Sequence, residues 1–172
     1  MKTKQVSSKE YRLFTSEYVL ILFIIIALGV CWNINLQKTN PQAFFNFSLC
    51  VLGWYLANIV NIVYKSINNE FAIKIKHLFG FMAAMFVVYS LVYYSLYNLD
   101  KQSFTGSLLL DNQEHSESGE YFDMMYFTMS VFSTAGFGDI TPVSRAARSI
   151  VMTQFFAGFA LVGILLSRVC DK

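Results

Sequence analysis

The chain has 172 residues, of which 55% are hydrophobic and only 14% are charged. A soluble domain carries about 25% charged residues, so this composition indicates a membrane protein. The net charge of +2, without a basic cluster, predicts no nucleic-acid partner.

The first long apolar segment follows a basic N-terminal arm, residues 1–17, and extends from Tyr18 to about Leu36. A helix needs about 20 mostly apolar residues to cross the roughly 30 Å of bilayer hydrocarbon. A cleaved signal peptide would end in small residues at a cleavage site, and the Val30-Cys31-Trp32-Asn33 stretch does not fit that pattern. We therefore predict a retained transmembrane helix.

Three more apolar segments are long enough to cross a membrane, at about 43–64, 78–97 and 146–169. The first two of the four segments, within residues 18–64, are predicted as accessory transmembrane helices. Cys31 and Cys50 could lie at similar depth in these neighbouring helices, which leaves both a disulfide bridge and plain apolar packing open. Packing is the simpler interpretation.

Basic residues predict the orientation of these helices. They are concentrated in the N-terminal arm and in the loop at 65–77, whereas the loop at 98–118 is acidic over its middle. Positively charged loops stay on the cytosolic side. The sequence therefore predicts a multi-pass protein of the plasma membrane with both termini in the cytosol.

A shorter apolar segment, residues 119–133, precedes the last span. It is too short to cross a bilayer and too apolar for a surface loop, which is typical of a re-entrant helix. The filter segment follows it at 134–139, with glycine at the alternate positions Gly136 and Gly138. Glycine accepts positive φ, and alternating backbone conformations can turn successive carbonyls toward one axis. Rings of such carbonyls can replace the hydration shell of a monovalent cation.

The sequence Thr134-Ala135-Gly136-Phe137-Gly138-Asp139 resembles the filter of the potassium-channel superfamily, Thr-Val-Gly-Tyr-Gly-Asp. Pro142, Arg148 and Gly158 also stand at the distances from Gly138 that are usual in that family. The likeness covers about Tyr121 to Val169, plus the third apolar segment as the outer helix at 78–97. It implies a pore module at 78–172 with an inner helix at 146–169. It implies an all-α membrane protein that has four transmembrane helices and a re-entrant helix and assembles as a homotetramer.

The resemblance also implies roles for single residues. K⁺ would be bound at Thr134, Ala135, Gly136 and Phe137, with Gly138 completing the filter. Asp139, Tyr126 and Ser130 would support it; Ser130 stands where some members have a glutamate, so Tyr126 is the alternative hydrogen-bond partner of Asp139. Gly158 would be the hinge of the inner helix.

The function expected from this resemblance is passive conduction of K⁺, with K⁺ as the permeant ion, no cofactor and contacts to membrane lipid. Alanine at position 135 and phenylalanine at 137 depart from the usual valine and tyrosine. A less selective channel that also passes Na⁺ is therefore an alternative. A non-conducting accessory subunit is another, although it would not need a filter. The sequence contains no nucleophile–base pair or metal cluster typical of an enzyme, and no ladder of arginines typical of a voltage sensor.

Overall fold

The structure is a computed structural model that describes residues 40–67, 75–106 and 117–170. These residues form four α-helices: α1 (Pro41–Ile67), α2 (Ile75–Leu99), α3 (Glu117–Phe132) and α4 (Arg145–Cys170). A 3₁₀ turn, Lys101–Ser103, leads into a short strand β1 (Phe104–Thr105), and a second short strand β2 (Thr141–Pro142) precedes α4. The predicted arm at 1–17 and first span at 18–36, with Cys31, lie outside the described residues.

Three of these helices contain stretches long and apolar enough to cross a membrane, Pro41–Tyr64, Leu78–Leu99 and Arg145–Ser167. This confirms the expected all-α membrane protein. The predicted fourth span is the one outside the described residues. Between the second and third spans lies α3, which has 16 residues and is therefore about 24 Å long.

The helices flanking the two predicted loops extend a few residues further than the sequence predicts. The loop placed at 65–77 is shorter, because α1 continues to Ile67 and α2 begins at Ile75. Helix α2 continues to Leu99, and Asp100 caps the 3₁₀ turn that follows it. The Asp100 carboxylate accepts hydrogen bonds from the Gln102 amide and the Ser103 hydroxyl, both at 3.0 Å.

Side-chain caps explain where two helices begin. The Asn40 side chain accepts a hydrogen bond from the Ala43 amide at 3.1 Å, and Pro41 occupies the first helical position, which suits its fixed φ. The Ser144 hydroxyl accepts from the Ala147 amide, also at 3.1 Å. Each cap satisfies one amide that has no partner within its helix.

Helix α2 is the centre of the packing. Two thirds of its apolar stretch, 67%, is buried, against 33% in α1 and in α4. It contacts α1 on one side and α3 and α4 on the other. The polar contacts to α1 are the Ser48–Ser95 hydroxyl pair at 2.7 Å and the Tyr55 hydroxyl, which donates to the Phe81 carbonyl at 2.8 Å.

The two short strands connect the segment after α2 to the segment before α4. They pair antiparallel, with Phe104 opposite Pro142 and Thr105 opposite Thr141. The Ser103 carbonyl accepts from the amides of Val143 at 2.9 Å and Ser144 at 3.2 Å. The chain leaving α2 is thereby held against the chain that enters α4.

We predict that Tyr55→Phe lowers the free energy of unfolding by about 0.5–1 kcal/mol, because it removes a buried interhelical hydrogen bond and little volume. Denaturation of the purified protein in detergent measures the change. Tyr64→Phe is the matched control on the same helix, since Tyr64 is 62% exposed. Equal losses in the two variants would contradict the role given to the Tyr55 hydroxyl.

Candidate functional site

Helix α3 is held between α2 and α4 by its buried face. Met124, Phe127 and Thr128 of this face are almost fully buried. The Phe127 ring makes edge contacts with Tyr93 of α2, at a centroid distance of 5.0 Å, and with Phe104 of β1, at 5.5 Å. Aromatic pairs in this geometry stabilise packing beyond the area they bury.

The carbonyls near the end of α3 bind the start of the filter segment. The amide of Ser133 donates to Met129, that of Thr134 to Val131 and that of Ala135 to Ser130, at 2.9 to 3.1 Å. The last two of these bonds, with Thr134 in a left-handed conformation, form a Schellman motif, which is a common way for a helix to end. Ser130, predicted as a support of the filter, contributes through its carbonyl, which accepts both the Ala135 amide and the Ser133 hydroxyl at 3.2 Å.

The backbone of the filter segment takes positive φ at alternate residues. Gly136 has a φ of 54° and Gly138 a φ of 79°. Thr134 also has a positive φ, 56°, and is the only such non-glycine residue in the described part of the chain. A β-branched residue is strained there, at a cost of about 1–3 kcal/mol. Thr134 was predicted as a filter residue, but its positive φ was not, because threonine carries no sequence signal for that conformation.

The segment from Ser133 to Gly138 is exposed along its whole length. Phe137 is 67% exposed, and its ring stacks on Tyr126 of α3 with centroids 6.1 Å apart and planes 14° apart. The filter segment therefore contacts its own chain on one side and is open on the other.

Asp139 follows Gly138 at the C-terminal end of the segment. The Tyr126 hydroxyl donates to its Oδ2 at 2.5 Å, and the Ile140 amide donates to its Oδ1 at 2.9 Å. The first contact is the one expected from the sequence. This hydrogen bond to a carboxylate, followed by desolvation and the charge of Asp139, raises the pKa of Tyr126.

Pro142, just before α4, and Arg148, near its start, were both identified from the family pattern, and they are in contact. The Arg148 side chain donates from Nε to the Pro142 carbonyl at 3.2 Å. Further along, α4 continues without a break through Gly158, the predicted hinge. A Cβ at Gly158 would lie 3.3 Å from the Phe132 ring, so close packing against the end of α3 favours glycine at this position.

Gly106 makes the closest approach to the filter segment and was not identified from the sequence. A Cβ built on Gly106 would lie 1.8 Å from the carbonyl oxygen of Asp139, where ordinary contacts begin at 3.4 Å. No other residue type fits there. A single glycine in a loop gives no sequence signal for such a contact.

Comparison with known proteins places the chain in a family. Residues 81–172, more than half of the chain, match the family described as Ion channel, and the chain therefore belongs to that family. The match includes most of α2 and all of α3, the filter segment and α4. No solved structure gives a significant match.

Three relatives are similar over part of the chain. Two pore potassium channel b of Oryza sativa subsp. japonica is 34% identical over 64 residues, 37% of this chain and 18% of the relative. The calcium-gated potassium channel TvoK of Thermoplasma volcanium is 36% identical over 58 residues, which are 34% of this chain and 17% of the relative. Two-pore potassium channel 1 of Arabidopsis thaliana is 42% identical over 57 residues, which are 33% of this chain and 15% of the relative. The match thus spans less than a fifth of each relative.

We predict that Gly106→Ala destabilises the protein by about 1–3 kcal/mol, the usual cost of forcing extra atoms into a packed site. Denaturation in detergent measures the loss. Gly53→Ala is the control, because a Cβ at Gly53 meets nothing within 4 Å and alanine favours a helix. A Gly106→Ala protein as stable as the control would show that the contact with Asp139 is not tight.

We also predict that Tyr126→Phe lowers the thermal unfolding midpoint, because Asp139 loses a donor while the ring contact with Phe137 is kept. The raised pKa of Tyr126 sets the pH dependence. The hydrogen bond stabilises the protein fully below the ordinary tyrosine pKa of about 10 and is lost as the pH rises through the raised value.

The midpoint difference between wild type and Tyr126→Phe should therefore be constant at neutral pH and shrink only in strong alkali. Tyr121→Phe on the same helix is the control, because no hydrogen bond of the Tyr121 hydroxyl is found among the described residues. A difference that already disappears between pH 6 and 8 would contradict this assignment.

Proposed function

We propose that the chain is one subunit of a K⁺-selective channel, and that the backbone of residues 134–138 binds the permeant ion. One observation carries this proposal: φ is positive at Thr134, Gly136 and Gly138 in an exposed segment that directly follows a helix too short to span a membrane. Membership in the ion-channel family and the potassium-channel names of the three relatives support it.

The proposed conduction depends on backbone atoms. Carbonyl oxygens of Thr134, Ala135, Gly136 and Phe137 would replace the water shell of K⁺. Helix α3 ends at Phe132, directly before these residues. Its C-terminal end carries partial negative charge, which would favour a cation nearby. Asp139 would hold the outer end of the filter through Tyr126.

We propose that four copies assemble around one axis, because one chain supplies a single filter strand. The exposed filter segment supports this, whereas the exposed apolar side chains of α4 do not decide it; these are Met152, Phe156, Phe159 and Leu166. An apolar surface inside a membrane can be covered by lipid, whereas an exposed backbone segment cannot. The homotetramer would cover the filter segment with three other filter segments and ions.

The proposed setting is the plasma membrane, with both termini in the cytosol and the filter opening outward. The charge asymmetry of the predicted loops supports this orientation. Contacts with lipid would fall on the exposed faces of α1 and α4. We also propose that Gly158 lets the inner helix bend when the channel opens.

A less selective channel for Na⁺ and K⁺ is the second candidate. Phe137 has no hydroxyl to bond to α3 and is held on Tyr126 by ring stacking. At Phe137, stacking without a hydrogen bond would let the filter change its width more easily, and width affects discrimination between the two ions.

We predict that purified protein in liposomes passes K⁺ much faster than Na⁺, and that Gly138→Ala abolishes the flux. A Cβ at this φ costs about 1–2 kcal/mol in each subunit, and four subunits repeat the strain at one axis. Gly53→Ala is the control and should conduct like wild type.

Three outcomes separate the candidates. Equal fluxes of Na⁺ and K⁺ would favour the less selective channel. Absence of flux in every variant would favour a non-conducting subunit. Unchanged selectivity in Gly138→Ala would exclude the proposed carbonyl filter.

A further inference from the structure

We propose that Gln154 of α4 is a positioning residue for the ion-binding segment: its buried side chain fixes α3 to α2 and α4, and so determines K⁺ affinity and selectivity. This inference rests on the proposed function, because it assumes that residues 134–138 bind the ion. Gln154 itself is on α4 and does not belong to that segment.

Gln154 is a polar residue buried between three helices. It is only 1% exposed. Its Nε2 donates to the carbonyl of Thr128 on α3 at 2.8 Å, and its Oε1 accepts from the hydroxyl of Tyr93 on α2 at 2.7 Å. One amide therefore connects three helices, and both of its polar atoms have partners. A buried amide without partners would be costly, so the arrangement constrains all three helices together.

The residues around this amide extend the same network. The Thr128 hydroxyl donates to the Met124 carbonyl at 2.8 Å and lies 3.3 Å from the Ser90 hydroxyl of α2. The Tyr89 hydroxyl donates to that of Thr153, the neighbour of Gln154, at 3.2 Å. At this level, hydrogen bonds connect α2 to α3, α4 to α3 and α2 to α4.

A second, apolar contact between the same three helices lies one helical turn further along. Phe132 of α3 packs against Gly158 of α4, and its ring meets that of Phe86 of α2 at 5.0 Å. Thr128 and Phe132 are four residues apart, as are Gln154 and Gly158, so the two contacts are in register. The polar contact fixes the rotation and height of α3, and the apolar contact fills the space at its end.

This position matters because the filter segment starts immediately after the apolar contact. Ala135 is bonded to the Ser130 carbonyl, and Ser130 lies between Thr128 and Phe132. A rotation or shift of α3 therefore moves the first residues of the filter segment directly. Apolar packing alone allows small sliding movements, whereas a directional hydrogen bond to the Thr128 carbonyl opposes them. This is the property expected of a group that sets ion-site geometry.

The experiment measures K⁺ binding to the purified full chain by calorimetry, and K⁺ and Na⁺ fluxes in liposomes. Gln154→Met keeps the length and removes both hydrogen bonds, and Tyr93→Phe removes one donor only. We expect Gln154→Met to weaken K⁺ binding about tenfold, which corresponds to about 1.4 kcal/mol, and to lower the K⁺ over Na⁺ flux ratio. Tyr93→Phe should show a smaller loss, and the double variant should resemble Gln154→Met alone, since the two residues act together.

Two controls distinguish positioning from general stability. Gln42→Met replaces an exposed glutamine of α1 and should change neither measurement. Tyr55→Phe removes a buried hydrogen bond between α1 and α2 and should lower stability without changing the flux ratio.

Wild-type K⁺ affinity and flux ratio in Gln154→Met would overturn the proposal, as would additive effects in the double variant. If Gln154→Met does not fold, a Tyr93→Phe protein with unchanged K⁺ affinity overturns it. A wild-type protein that binds K⁺ without conducting would refute the proposed channel function. The K⁺ affinity of Gln154→Met would then decide the proposal for Gln154. A wild-type protein that neither binds nor conducts overturns both.

Discussion

The organisation of this protein follows from one constraint, that backbone polar groups inside a membrane need partners. Most of the described chain meets it with helices. The segment from Ser133 to Gly138 does not, because it is neither helix nor strand and is exposed in the single chain. Its carbonyls require ions, water or other copies of the chain. The proposed tetrameric channel would supply ions, water and other copies of the chain. The functional proposal therefore rests on this segment.

A strained and exposed segment needs support from outside, and the structure provides it at three points. The end of α3 holds its beginning through the carbonyls of Val131 and Ser130. Tyr126 holds its middle by stacking on Phe137 and its outer end by bonding to Asp139. Gly106 packs against the backbone carbonyl of Asp139. A strained positive φ, such as that of Thr134, persists only where contacts with the surrounding structure hold the backbone in place.

Much of this organisation could be predicted from the sequence, because the signals are local. Long apolar runs predicted the helices to within a few residues, and the alternating glycines predicted the positions of positive φ at Gly136 and Gly138. The contact between Tyr126 and Asp139 followed from their place in the motif. What could not be predicted depends on tertiary contacts: the pairing of Phe104 with Pro142, and the close approach of Gly106. Nothing in the neighbouring residues marks either one.

The buried polar residues show why hydropathy alone is an incomplete guide to such a protein. Gln154 lowers the apolar character of its helix slightly and looks like an interruption in a membrane span. In the structure its amide bonds to helices α2 and α3, at the level where α3 approaches the filter segment. Lipid tails are as apolar as leucine, so apolar side chains discriminate poorly between neighbouring helices and lipid. A directional hydrogen bond does discriminate, and it fixes the height and rotation at which α3 meets its neighbours. The polar residues of these spans therefore fix how the helices are placed relative to one another, while the apolar residues place the helices in the membrane.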